Sequence, residues 1–290
     1  STLGSIPEET ARAIFSHPNT MVAGVFAPSG QASVDAGQVT VNGRWQWGSG
    51  TQNADWVLGG CLVDSGGETS SQHMVLMPTS EIQFLDTWHV SGLQGTGSTD
   101  YEAVDLSLSD GHIVGYGGHR PPRRPLFQCP RFTLLAIGIG AVALGIARAA
   151  IDELVQLAQS KRRINSTATL ADRAHSHMEV ARAEATLRSA RAFYFQSIEA
   201  AWSVAQSGDK VSVDQRRDIR LATTHAVEAS IKTVDAMYTL GGGSAVYADS
   251  PLQRHFRDVH MTSQHIMVAP STLETVGRLY LGVEAQTATL

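Results

Sequence analysis

The chain is poor in cysteine, in charge, and in the signatures of metal or hydrolytic chemistry. Of 290 residues only Cys61 and Cys129 are cysteines, with no CxxC spacing. That excludes a disulfide-stapled framework and a cysteine-built zinc module, and leads us to expect a reducing, cytoplasmic setting. No basic n-region followed by an apolar stretch opens the sequence, so no secretory signal is read there. The longest apolar run, Leu134 to Ala147, has 14 residues before Arg148 interrupts it. It falls short of the ~20 that span a bilayer and reads as a helix inside a bundle, so no membrane partner is expected. Neither HExxH nor G-x-S-x-G occurs, which speaks against a zinc peptidase and a serine hydrolase. Among eleven histidines, His255, His260 and His265 recur every five residues, a spacing that spreads them around a helix axis, and no metal site is expected. Positive charge is nearly absent from residues 1–118, which carry 2 basic and 12 acidic side chains. The 20 basic and 15 acidic side chains of 119–290 are too evenly mixed to track phosphates, so nucleic acid is not an expected partner.

What is present is a globular chain, 42% hydrophobic, with a change of texture near Gly118. Ser1 to Ser16 reads as a short helical piece, with Pro7, Glu8 and Glu9 placed for a first turn. From Met21 to about Ile113, short runs rich in Val, Trp and Thr alternate with Pro28-Ser29-Gly30, Asn42-Gly43, Ser65-Gly66-Gly67 and Asp110-Gly111, the spacing of an all-β barrel or sandwich. Val39 to Trp47, around Asn42-Gly43, is the clearest hairpin. Gly115 to Pro130 reads as a mobile linker. Beyond it, Arg131–Ser160, Leu170–Ser207, Asp214–Leu240 and Leu252–Met267 show apolar residues at threes and fours, and Pro270 starts a last helix. The expected domains are a helical remnant over 1–20, a β-barrel over 21–118, a linker over 119–130 and a helical bundle over 131–290.

Several glycine-rich motifs need a reason. Gly138-Ile139-Gly140-Ala141-Val142-Ala143 matches a dinucleotide fingerprint, yet an unbroken series of helices comes after it, so these small residues are read as close helix packing. Trp47-Gly48-Ser49-Gly50 closes a strand with an indole, a hydroxyl and two glycines. Ser91-Gly92-Leu93-Gln94-Gly95-Thr96-Gly97-Ser98 has the texture of a loop whose backbone must approach something closely. Leu240-Gly241-Gly242-Gly243 ends a helix with two more glycines than a C-cap requires.

These motifs, together with the later Pro251-Leu252-Gln253-Arg254-His255-Phe256-Arg257-Asp258, resemble in order and spacing the acyl-CoA dehydrogenase superfamily, from Ser1 to about Gly282. The resemblance implies an α+β multidomain fold with a central β-barrel and a C-terminal four-helix bundle, a flavin held between them, and a homotetramer. Ser1 to Ser16 would match only the last helix of that family's N-terminal domain. The dehydrogenase branch removes an α-proton with a carboxylate, but Val259 to Leu273 contains no Asp or Glu, and the family's alternative position falls on Arg131. Lacking that base, the chain would lose ~10²- to 10⁴-fold of proton-transfer catalysis.

Trp45-Gln46-Trp47-Gly48-Ser49-Gly50, the Gly-Leu-x-Gly-Thr-Gly-Ser loop and His265 in place of the acid are more similar to the oxygenase component of two-component flavin-dependent monooxygenases. That resemblance implies reduced flavin, FMN or FAD, delivered by a separate reductase and used with O2 to hydroxylate an aromatic or other hydrophobic small molecule. By it, Ser49 would donate near flavin N5, Trp47 would cover a ring face beside Gly50, and Thr96, Gly97 and Ser98 would bind the flavin edge or ribityl-phosphate chain. Lys161, with Arg162 and Arg163, would meet flavin phosphate, and Gly241 and Gly242, with Gly243, would approach the cofactor of a neighbouring subunit. His265 would hydrogen-bond the oxygenating species or take a substrate proton. Arg257 and Asp258 read as a structural ion pair. An acyl-CoA dehydrogenase-type flavoenzyme and a non-catalytic binding partner are the alternative readings.

Overall fold

A computed structural model of the chain describes residues 2–66, 70–162 and 164–290. They form two compact units, Ser1–Val90 with Gln94–Pro122, and Ser91–Leu93 with Arg123–Leu290.

The first unit opens with a 3-10 turn at Thr2–Ser5 and then α1 (Glu8–Ile14), whose first-turn Glu8 and Glu9 lie at the positive end of the helix dipole. Seven strands come next: β1 (Val22–Asp35), β2 (Gln38–Trp45), β3 (Trp56–Asp64), β4 (Ser71–Pro78), β5 (Gln83–Leu85), β6 (Asp100–Ser109) and β7 (Ile113–Val114). They pair in the order β5-β6-β2-β1-β3-β4-β7, parallel between β1 and β3 and antiparallel elsewhere. The end strands β5 and β7 are joined by no ladder among the described residues.

The hairpin lies elsewhere than its composition suggests. Asp35 pairs with Gln38, so Ala36-Gly37 is the two-residue turn, with φ of 47° and 83° as a type I′ turn demands. Asn42-Gly43 sits inside β2, where the register with β6 shifts, and Asn42 braces the irregularity by exchanging hydrogen bonds with Asp105 at 2.8 and 3.0 Å. Pro28-Ser29-Gly30 likewise lies within β1, at a register shift against β3. Asp110-Gly111 is a turn, and Gly67 of the third expected turn lies outside the described residues.

The core of this unit is built round Trp45 and Tyr101, both fully buried and stacked at 5.3 Å between ring centroids. Glycine makes room for the indole. A Cβ at Gly30 would lie 2.4 Å from the Trp45 ring and one at Gly59 2.5 Å from it. The indole N–H donates to the Gly60 carbonyl at 2.8 Å, and the Tyr101 hydroxyl donates to that of Leu58 at 2.6 Å.

The stretch expected to be a mobile linker carries a 3-10 turn at Tyr116–Gly118 and a helical turn, α2 (Pro125–Gln128). The second unit then consists of α3 (Arg131–Ser160), α4 (Ala174–Gln206), α5 (Val213–Gly241), α6 (Pro251–Thr262) and α7 (Ser271–Tyr280). By length and composition α3 could cross a bilayer. One face of it, including Leu144, Ile151 and Leu154, belongs to the bundle core with Leu187, Tyr194, Val234, Met237 and Val259. Gly140 is the packing glycine on that face, since a Cβ there would lie 2.9 Å from both Thr223 and the Tyr194 ring. The central helix α5 starts on a full capping box in which Ser212 and Gln215 satisfy each other's backbone N–H.

Candidate functional site

In the first unit the chain turns sharply once β2 leaves the core. Trp47 departs from the strand with φ of 64°, a left-handed backbone that costs a non-glycine residue ~1–2 kcal/mol, and its indole is 72% exposed. Of the two tryptophans, Trp45 fills the core and Trp47 is turned to solvent. Gly48 then lies flat on Tyr101, with room for no side chain, and donates its N–H to Thr99 at 3.1 Å. Gly50, at φ 73°, donates to the Thr96 carbonyl at 2.9 Å. These bonds lace 48–50 to 96–99.

The hydroxyls meet in the same lacing. Ser49 Oγ lies 2.7 Å from Ser98 Oγ, which lies 2.7 Å from Thr96 Oγ1. Ser98 is buried and links the hydroxyls of Ser49 and Thr96. Gly97, at φ 52°, sits where a Cβ would come within 2.9 Å of the Gln52 side-chain oxygen.

In the second unit Lys161 caps α3 and its ammonium donates to the Gly241 carbonyl and, at 2.9 Å, to Ser244 Oγ. Partial burial lowers its pKa below the usual 10.5. Two of the three glycines ending α5 have a cause: a Cβ on Gly241 would lie 2.8 Å from Leu252, and Gly242 takes φ 51°, ψ −144°, a conformation reserved for glycine, while nothing in the structure requires glycine at 243. Arg162 bridges to Thr169, and Arg163 lies outside the described residues.

Ser91-Gly92-Leu93 belongs to the helical unit. A Cβ on Gly92 would stand 2.5 Å from the Arg257 carbonyl, and the Leu93 N–H donates to Asp258 Oδ1 at 2.6 Å. The close backbone approach expected of this loop is therefore to α6. Arg257 and Asp258 form no ion pair among the described residues. Adjacent helical residues point about 100° apart, and Asp258 serves Leu93 instead.

His265 also differs from expectation in setting. Helix α6 ends at Thr262, and His265 stands in the turns beyond it, with its N–H on the Thr262 carbonyl at 3.2 Å and its own carbonyl receiving the Val268 N–H at 3.0 Å. Its Nδ1 accepts the Met267 N–H at 3.2 Å, so the ring proton belongs on Nε2. His265 is an exposed residue whose ring is partly desolvated by its neighbours, and this, with Arg220 second, lowers its pKa below the usual 6.5. Arg220 carries no signal in the sequence, where a guanidinium in mid-helix reads as solvated surface. No group of three metal-ligating side chains occurs among the described residues.

A seven-stranded mixed sheet and a helical C-terminal region bearing these features are the acyl-CoA dehydrogenase-like fold, and residues 137–270 match the family model for the acyl-CoA dehydrogenase C-terminal domain. The chain is 34% identical over 281 residues to indole-3-acetate monooxygenase of Pseudomonas putida, covering 97% of this chain and 72% of that protein. It is 26% identical over 257 residues to the flavin-dependent monooxygenase oxygenase subunit HsaA of Mycobacterium tuberculosis, covering 86% and 65%. The structure of XiaF from Streptomyces, solved with FADH2 and glycerol, superposes with a TM-score of 0.88 at 23% identity over 97% of this chain and 74% of that one. The chain belongs to the flavin-dependent monooxygenases of the acyl-CoA dehydrogenase-like fold.

Proposed function

We propose that the protein hydroxylates an aromatic or other hydrophobic small molecule, using O2 and reduced FMN or FAD delivered by a separate reductase. The relative named for indole-3-acetate supports an aromatic substrate. The observation that carries the residue assignment is Trp47, an exposed indole on a strained backbone two residues from the linked hydroxyls of Ser49, Ser98 and Thr96. Strain that the core does not require is kept for a ligand, and a flat apolar face beside hydroxyl donors suits an isoalloxazine ring.

When bound, reduced flavin supplies the electrons that activate O2 for insertion into the substrate. Trp47 would cover the ring and help exclude water. Ser49 would donate its hydroxyl proton towards N5, and Gly50, Thr96 and Gly97 would line the flavin edge or its ribityl-phosphate chain. Lys161 would meet flavin phosphate, and Gly241 and Gly242 would approach the cofactor of a neighbouring subunit. His265, holding its proton on Nε2, would donate a hydrogen bond to oxygen; because Nδ1 is occupied by Met267 N–H, this role is favoured over taking a substrate proton.

We place the enzyme in the cytoplasm, in keeping with its two free cysteines, and as a homotetramer, for which exposed Val142, Val155, Met178 and Phe195 on α3 and α4 supply apolar surface. The test is His265→Ala against His265→Gln with flavin, reductase and an aromatic substrate panel. Ala should cut product formation ~10²-fold, as loss of one positioned donor does, with flavin affinity kept, and Gln, whose amide reaches near the Nε2 position, should restore part of it. Unchanged turnover in both removes His265 from the reaction.

A further inference from the structure

We infer that Arg220 is a positioning residue for His265, pinning the 265–267 turn so that the imidazole presents Nε2–H; the inference rests on the role of His265 proposed above. Arg220 lies on α5, 3% exposed, and forms no ion pair with a carboxylate among the described residues. Its Nη1 donates to the Met267 carbonyl at 3.0 Å and its Nη2 to the Thr289 carbonyl at 2.5 Å, while its Nε is buried without a partner.

A guanidinium taken out of water without an anion is a costly residue to keep for packing alone, since an apolar side chain of similar length would fill the space. What it adds is a rigid fork that reaches two carbonyls from two separate segments, which lysine's single point charge cannot reproduce. One of those carbonyls belongs to Met267, the residue whose N–H meets His265 Nδ1 at 3.2 Å. Holding Met267 in place therefore holds that N–H against Nδ1, and a proton on Nδ1 would face another proton.

Electrostatics act in the same sense. Arg220 is the charged group acting on the ring, no carboxylate opposes it among the described residues, and Gln264, Ile266, Met267 and Val268 around it carry no charge. The hydrogen bond at Nδ1 selects the Nε2–H tautomer, the charge selects the neutral ring, and neither requires Arg220 to touch substrate or flavin.

The experiment compares Arg220→Lys and Arg220→Met with the parent, all labelled with ¹⁵N,¹³C-histidine and studied by NMR without flavin. In the parent, His265 should show the Nε2–H tautomer and titrate below 6.5. Arg220→Met should mix the tautomers and move the His265 midpoint upward, because the charge that opposes protonation is gone. Arg220→Lys keeps the charge but loses the fork, so it should mix the tautomers while the midpoint stays low. An unchanged tautomer in a folded variant overturns the inference; should Arg220→Met not fold, Arg220→Lys decides by the tautomer alone. A second measurement separates this from the proposed function. With reduced flavin and O2, Arg220→Lys should bind flavin as the parent does yet lose about tenfold in product, the missing oxygen appearing as hydrogen peroxide. If the NMR shifts as expected and product does not change, the clamp stands and the role of His265 falls.

Discussion

Ser98 Oγ is 2.7 Å from Ser49 Oγ and 2.7 Å from Thr96 Oγ1, so one buried hydroxyl links the two others. A hydroxyl has one proton, and if Ser49 is to donate outwards, Ser98 must donate to Ser49 and accept from Thr96. Ser98→Ala removes that arrangement and leaves Ser49 free to rotate. We expect folding and flavin affinity within about twofold of the parent and a ~10- to 10²-fold fall in product relative to oxygen consumed. Coupling measured by oxygen electrode and product chromatography checks it; full coupling in Ser98→Ala means that Ser49 needs no orientation.

Trp47 separates ligand binding from folding. Because its φ is 64° and its indole is exposed, Trp47→Gly should raise stability by about 1 kcal/mol, relieving the left-handed backbone. The same change should weaken flavin binding at least tenfold. Denaturant unfolding and flavin titration therefore move in opposite directions, and a loss of stability would place Trp47 in the fold.

Gly59 predicts the reverse pattern. An added methyl would lie 2.5 Å from the Trp45 indole and 2.9 Å from Met77, in a core with no slack. Gly59→Ala should cost about 1–3 kcal/mol, the range for overpacking, and lower the melting temperature accordingly. A variant as stable as the parent would show that the indole can shift aside.

The pH response stems from histidines whose folded-state pKa lies below 6.5. His265 is lowered by its packing and by Arg220, and His255 by burial and by Arg254. Above 6.5 these rings are neutral in folded and unfolded chains alike. As pH drops below 6.5 towards the folded values, the unfolded chain binds protons that the folded chain does not, so stability should fall across that interval. Urea midpoints at pH 7.5, 6.5 and 5.5 should decline in order, and His265→Gln should flatten part of the decline.

The helical half was readable because periodicity and caps are local. Arg131–Ser160 coincides with α3, and the other helices begin or end within a few residues of their apolar patterns, except α6, which stops at Thr262 and not Met267. The sheet was less legible, since turn chemistry and bulges draw on the same residues. Asn42-Gly43 has a favoured hairpin composition yet lies within β2, while Ala36-Gly37, a weaker signal, makes the turn. Family resemblance singled out Trp47, Ser49, Lys161 and His265, but not how they are held. The Ser98 link, the Lys161 bond to Gly241 and the Arg220 fork all join segments remote in sequence, and no spacing rule reports such partners.

The tripeptide Ser91-Gly92-Leu93 has a consequence for anyone shuffling gene segments between relatives. It is encoded amid the strands yet clasped by α6 through Asp258 and the Arg257 carbonyl. A recombination junction at the compositional break near residue 118 would bring in a helical portion with a foreign clasp, so chimaeras should inherit 91–93 from the same parent as 251–262.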